Sequence, residues 1–397
     1  MMDGTTIESQ LTPFLFPNEP DWFTDIRRAA LKNRRITKDP RFAKVNYINW
    51  NLGELPEVNQ VAQLDHDDQS TKDYILCSLS VALTKYEDLV KKYFMQQALT
   101  KLSDRLISFS TAFVNSGNFL YIPENTKLTT PIFMNHIADS AQNEEISHNL
   151  IVIDEGAQVT ICLENEQAQA SGKIHRISEI ILAPNSHLNL INVDVFAADT
   201  DVYVNRQASV GENAKLDWSI GSFSDGNVVA EMNAELVGRH AQATINNGAI
   251  TSGKQTQGMN TRVTNFAPHS IGKISQRGVI LDQSRLVFNG IGKIIHGAHG
   301  TIAQQENRVL MLSDQASGDA NPILLIDEND VVAGHAASVG RLDKKQLYYL
   351  MSRGLPKEAA KKLVVRGFIG TFAKEIADQR VRENFQKILE RKLTDGE

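Results

Sequence analysis

The sequence predicts a mostly β protein with α: a β-solenoid body flanked by N- and C-terminal helical segments. Three observations predict it. Apolar residues recur at spacings of three and four up to about residue 108, and again after Gly340. Between about Phe109 and Ser338 they alternate in short runs broken by Gly, Asn, Pro and Asp. Within those runs a unit repeats. The expected organisation is a helical region over 1–108, a β core over 109–340 and a helical region over 341–397.

The N-terminal segments "EPDWFTDIRRAALKNRR" and "TKDYILCSLSVALTKYEDLVKKYFMQQALTKLSDRL" read as helices, the second through Leu89, Tyr93, Ala98 and Leu102. The stretch between them, "ITKDPRFAKVNYINWNLGELPEVNQ", is punctuated by Pro and Asn and reads as irregular. In the β region "DEGAQVTI", "APNSHLNL", "GENAKLDW" and "GRHAQATI" each give a polar turn, a small residue and an alternating run. The small residues Ala157, Ser186, Ala214 and Ala241 are spaced 29, 28 and 27 residues apart. Two residues further on stand Val159, Leu188, Leu216 and Ala243, apolar each time. Such a ladder suits a solenoid, whose coils bury inward residues only against their neighbours. A β-sandwich with regular hairpins is the competing reading.

After Gly340, Asp343 and Gln346 form a D-x-x-Q capping box. Gly354 suits the left-handed position that ends a helix, and Pro356 suits the opening of the next. The following helix is expected to bury Ala360, Leu363, Val364, Gly367 and Phe368, and the last one Val381, Phe385, Ile388 and Leu389.

Composition excludes several function classes. With a formal charge of −6 and 22% charged residues, the chain has no basic surplus for nucleic acid or an anionic membrane. No apolar run approaches the roughly 20 residues of a membrane span, and the first residues lack a secretory pattern, so a cytoplasmic protein is expected. Two cysteines, Cys77 and Cys162, make neither a disulfide scaffold nor a Cys-only metal site. Cys77 lies on an apolar helical face and is expected in the core. Cys162 is out of phase with Val159, Ile161 and Leu163 and is expected to point outward. The stretches "HSIGKIS" and "NGIGKIIHG" lack the spacing of a phosphate loop, and no nucleophile elbow or zinc helix is present.

Histidines remain. His296 and His299 in "HGAH" could offer two imidazoles from one turn, though they read more simply as a polar turn. His269 and His335 are isolated in sequence. Around His335, Ala333, Gly334, Ala336 and Ala337 leave room for another backbone or a ligand. The residues alone thus describe a scaffold without an autonomous active site.

The C-terminal third carries more. "SRLVFNGIGKI" and "ENRVLMLSDQASGDANPILLIDENDVVAGHAASVGRLDKKQLYYLMSRGL" resemble the SufB/SufD family of iron–sulfur cluster assembly proteins, the SufD branch in particular. "FVNSGNFLYIPENTKLTTPIF" is similar to the start of that family's β domain, and "EPDWFTDIRRAAL" to its first helix. The resemblance implies a right-handed parallel β-helix between helical segments. It implies SufB and SufC as partners, the ATPase SufC docking on the C-terminal helices, for which Gln346, Tyr348, Tyr349 and Arg353 are the candidates. The SufB branch has an upstream cysteine and a His-Glu pair where this chain has His335-Ala336, which favours SufD. His335 matches the histidine that SufD places at the interface with SufB, so it is the candidate iron or cluster ligand. Some SufD proteins carry a cysteine where this chain has Ala333 and a lysine where it has Asn321. The remaining ligands are then expected from the partner, with no cofactor held stably by the isolated chain and a cluster present transiently in the complex. The expected role is non-catalytic, with a homodimer possible for the isolated chain. A β-helix carbohydrate-active enzyme such as a lyase is the alternative.

Overall fold

The computed structural model describes residues 9–54, 68–137, 145–167, 172–375 and 379–394. Helix α1 (Asp21–Asn33) is followed by an irregular stretch, then by strand β1 (Ile75–Ser78) and helices α2 (Leu79–Lys85), α3 (Glu87–Tyr93) and α4 (Arg105–Phe113). The long second helix expected from the apolar spacing is therefore divided. Its first residues form β1, which pairs antiparallel with β2 (Asn118–Ile122). The Ser78 side chain then starts α2 by accepting from the Val81 N–H. Past α3 the chain turns through Met95 at a φ of 55°. There the buried Glu179 carboxylate accepts from the N–H groups of Met95 and Leu99, which a continuing helix would have satisfied itself. Cys77 is in the core as expected, but from a strand; burial pushes its thiol up to about 12.

The body continues through β3 (Ile132–Ile137), β4 (Glu145–Ile153), β5 (Gln158–Gln167), β6 (Gly172–Leu182) and β7 (His187–Phe196). Next come β8 (Thr200–Val210), β9 (Lys215–Ser222), β10 (Asn227–Leu236), β11 (Gln242–Thr251) and β12 (Thr256–Asn265). It ends with β13 (Ile271–Ile280), β14 (Arg285–Ile294), β15 (Thr301–Met311), β16 (Ser317–Ile326) and β17 (Val331–Arg341). Even-numbered strands and β1 form one sheet of nine strands; the odd-numbered ones from β3 form a second of eight. From β2 onward the pairings in both sheets are parallel. Consecutive strands thus lie in opposite sheets, which is a parallel solenoid and not a hairpin sandwich.

The repeat legible in the sequence is the stacking register. Val159, Leu188, Leu216 and Ala243 are paired in one row across β5, β7, β9 and β11, and all are buried. Ala157, Ser186, Ala214 and Ala241 lie buried at the turns before them. The row of small residues continues into Ser270 and Thr301, both fully buried. Truncating Leu188 or Leu216 to Ala is expected to cost about 2–5 kcal/mol in urea denaturation, as a cavity that stacked coils cannot collapse. An unchanged midpoint would refute this register.

Helices cover both outer faces. Phe119, Leu150, Val152 and Ile181 of the even-numbered sheet pack against Phe23, Leu83 and Phe94 of the N-terminal region. The C-terminal helices are α5 (Lys344–Ser352), α6 (Lys357–Glu375) and α7 (Gln379–Thr394). Val365 and Ile369 of α6, with Leu389 and Leu393 of α7, cover Cys162, Ile191, Ile250 and Val279 of the odd-numbered sheet and Phe223 just after β9. The Lys392 ammonium is buried and donates to the Ser224 carbonyl at 2.6 Å. Cys162 therefore does point away from the lumen, and it is buried under this helical cover. The face of α6 that packs on the body is Val365 and Ile369, with Phe368 beside them; Ala360 is buried as expected, whereas Leu363 and Gly367, also expected to be buried, are exposed. In α7 Leu389 is buried and Ile388 packs beside it, whereas the side chains of Val381 and Phe385 lie outside the described residues.

Candidate functional site at the open end of the solenoid

Strands β16 and β17 end the two sheets, and among the described residues nothing pairs with their outer edges. The last coil therefore shows bare backbone together with apolar side chains: Val332 is 61% exposed, Leu325 50% and Val339 41%. An unpaired edge of this kind is a template for another strand. The coil is held from below by the parallel pairing of β16 with β14 and of β17 with β15. It is held from the side by Lys44, whose ammonium donates to Asp319 and Asn321 at 2.8 Å each.

His335 sits in the middle of β17, in register with Gln305 of β15. Along β15, Thr301, Ala303, Gln305, Asn307 and Val309 are the buried positions and face the lumen. In-register pairing gives His335 the same phase, so its side chain leaves the strand on the lumen side of the rim. It is exposed because no further coil covers it. A Cβ placed on Gly334 would meet nothing within 4 Å, so the strand is open on its outer side next to His335. Ala333 shares the lumen-side phase with His335, but it offers no thiol. Among the described residues no group of three or more His, Cys, Asp or Glu could hold a metal ion. His335 can supply one ligand, and imidazole suits iron.

The second candidate surface follows at once. Asp343 caps α5 by accepting from the Lys345 N–H at 2.8 Å. Gln346 does not reach back to complete the capping box. With Lys345, Tyr349, Leu350 and Val364 it lines a groove of about 440 Å³ between α5 and α6. Tyr348 is 74% exposed and lies outside that lining. Arg353 stands at the C-cap and not within the helix, its guanidinium 5.3 Å from the centre of the Tyr349 ring. Gly354, at a φ of 92°, and Pro356, whose carbonyl accepts from the Ala360 N–H, separate the helices as expected. The structure thus gathers Gln346, Tyr349 and Arg353; on α6, Leu363 is exposed next in sequence to the groove residue Val364.

Three other histidines form a row that local reading missed. His269 stacks on His240 with ring centres 5.2 Å apart and meets His299 edge-on at 5.0 Å. The partner of His299 is thus on the neighbouring coil. The signal was present in the spacing of 29 and 30 residues between them.

Two family models match the chain, a SufBD N-terminal region over residues 55–134 and a core domain of SUF-system FeS cluster assembly proteins over residues 136–368. The chain belongs to the SufB/SufD family. Within the family it is most like SufD: it is 34% identical to the iron–sulfur cluster assembly protein SufD of Bacillus subtilis, over 94% of this chain and 95% of that protein. A SufBD family protein of Staphylococcus saprophyticus is 27% identical over 77% of this chain and 66% of its own length. This SufB/SufD family member therefore has its place in iron–sulfur cluster assembly.

Proposed function

We propose that this family member is the SufD-like scaffold subunit of a cytoplasmic Suf assembly complex. It pairs with SufB through its open coil, docks the SufC ATPase on α5 and α6, and supports iron acquisition and nascent cluster assembly without catalysing a reaction itself. The observation that carries this reading is the uncovered last coil, where an unpaired strand edge, an apolar rim and His335 coincide. A second solenoid docked there would pair the edge and bury the rim. It would also enclose His335 in a site whose other ligands it supplies, with iron or the nascent cluster as cargo. Without SufB, a second copy of this chain fits the same edge. The groove beside Tyr349, with exposed Tyr348 and Leu363, supports the docking of SufC: α6 packs one apolar face on the body and leaves another uncovered. A polysaccharide cleft finds less support, because both outer faces of the solenoid carry helices.

Co-purification with SufB and SufC, read by iron and sulfide content, tests the reading. His335→Ala is expected to leave the complex intact and lower cluster content about tenfold, as loss of a metal-site group commonly does. His187→Ala, at a half-exposed position where the imidazole meets Asp217 at 2.9 Å, is expected to leave it unchanged. Tyr349→Asp with Leu363→Asp should release SufC alone. Full cluster content in His335→Ala would make the residue structural, and failure of the parent to capture SufB would end the scaffold reading.

A further inference from the structure

Solenoid lumens are lined by inward residues, and polar ones there must find partners. In the middle of this lumen ion pairs supply most of them: Arg206 bonds Asp194 and Arg176 bonds Glu145, each at 2.6 Å, although Arg176 Nε and Asn165 Oδ1 have no protein partner there. On the outer surface, Asn260, Asn289 and Asn321 form a self-satisfied ladder, each amide nitrogen donating to the preceding oxygen or to Glu231. Beneath the open end the pattern differs. Asn247 of β11, Gln276 of β13 and Asn307 of β15 are stacked in register, with Gln305 beside Asn307 and directly below His335. All four amides are at least nine-tenths buried.

Their nitrogens are partly accounted for. Gln276 donates to Thr261 Oγ1 and Gln305 to the Ile323 carbonyl, each at 2.9 Å, and Asn247 donates to the Met259 sulfur at 3.2 Å. The oxygens are not: Asn247 Oδ1, Gln276 Oε1, Gln305 Oε1 and both amide atoms of Asn307 have no protein partner. Facing them is Gly290, where a Cβ would lie 2.6 Å from Gln305 Oε1 and 2.8 Å from Asn307 Nδ2. The opposite wall is thus kept free of side chain where these polar atoms gather.

We propose that the lumen beneath the open end binds a file of water molecules, held by Asn247, Gln276, Gln305 and Asn307 and reaching the His335 imidazole. The donor set selects the ligand. Four acceptor oxygens and one donor nitrogen call for a small neutral molecule that mainly donates, and no charged side chain bonds to these amides. An anion would face the oxygens of the row unfavourably. Buried water typically makes about three hydrogen bonds to otherwise unpaired groups, as this row offers. The file stands on the amides alone; its meaning for His335, whose inward nitrogen it would supply with a hydrogen-bond partner, rests on the function proposed above.

A crystal structure of the full chain, without SufB or cluster, at a resolution that shows ordered solvent tests the file apart from that function. Solvent density within hydrogen-bonding distance of Asn307 Nδ2 and Gln276 Oε1 is expected. A dry row in which the amides have rotated onto one another, as in the outer ladder, would overturn the proposal. Asn307→Leu adds a second readout. With water present it removes partners from the file and should lower Tm by a few degrees. In a dry lumen it would relieve two unpaired atoms and raise Tm.

Discussion

A chain carrying Val332→Asp and Val339→Asp is expected to lose the proposed association with SufB, whereas its own fold and its proposed binding of SufC should persist. Both residues lie on β17, one on each side of His335 in sequence, and both are already substantially exposed, at 61% and 41%. Placing carboxylates there leaves them in water while the chain is alone, so the stability of the isolated protein should change little. In the complex each carboxylate would be carried into a desolvated contact without a cation to meet it. Such burial costs several kcal/mol per charge, so association should weaken more than about a hundredfold. The strand edge itself would also be blunted, as natural edges are by inward-pointing charge. Size-exclusion chromatography of the mixed proteins measures the outcome. Undiminished association would place the SufB contact elsewhere and leave the open coil without a partner.

The solenoid was legible because its physics is repetitive. Each coil must present a small residue at the turn and an apolar one two positions later, so Ala157, Ser186, Ala214 and Ala241 announce the stack from single-residue spacing. Ser270 and Thr301 continue it, but Gly272 stands two positions after Ser270, where the earlier coils carry an apolar side chain. The N-terminal region shows where local pattern fails. The residues around Cys77 have helical spacing, yet the edge of β2 is free to take a strand there, and Glu179, about 80 residues distant, supplies the acceptor that stops α3 from continuing. Helix α6 misled for another reason. It is apolar on the side packed against the body and on the side toward the groove, so no single stripe marks the buried face. The candidate site was only half legible. Small neighbours pointed to His335, but its place on the lumen rim depends on β17 being the last coil, which no local feature of "VVAGHAASVG" states.

Acid should destabilise the protein well before its carboxylates are titrated, and His175 is the reason. The imidazole is completely buried between the even-numbered sheet and the N-terminal region, against the rings of Phe109 at 5.1 Å and Tyr203 at 5.6 Å. The Leu52 carbonyl, 3.0 Å from Nε2, can only accept, so the single proton of the neutral ring sits on Nε2, and Nδ1 lies 2.8 Å from the Ser110 hydroxyl, whose one proton is shared with the Leu106 carbonyl at the same distance. Burial holds the ring neutral and depresses its pKa to about 3, the nearby Lys173 and Arg176 adding to the effect. An unfolded histidine titrates near 6.5. Above that pH neither state binds the proton, and the group adds no pH dependence. Between about 6.5 and 3 the unfolded chain takes up a proton that the folded chain refuses, so stability falls as pH falls. The slope approaches about 1.4 kcal/mol per pH unit below the unfolded pKa, which integrates to roughly 2 kcal/mol between pH 6.5 and 4.5. Urea denaturation at those two pH values should therefore show a large loss for the parent. In His175→Gln, whatever its stability at neutral pH, the loss should be smaller by about that amount. Parallel losses in the two proteins would mean that the folded state accommodates an imidazolium at this position, and that the N-terminal cover is looser there than its packing implies.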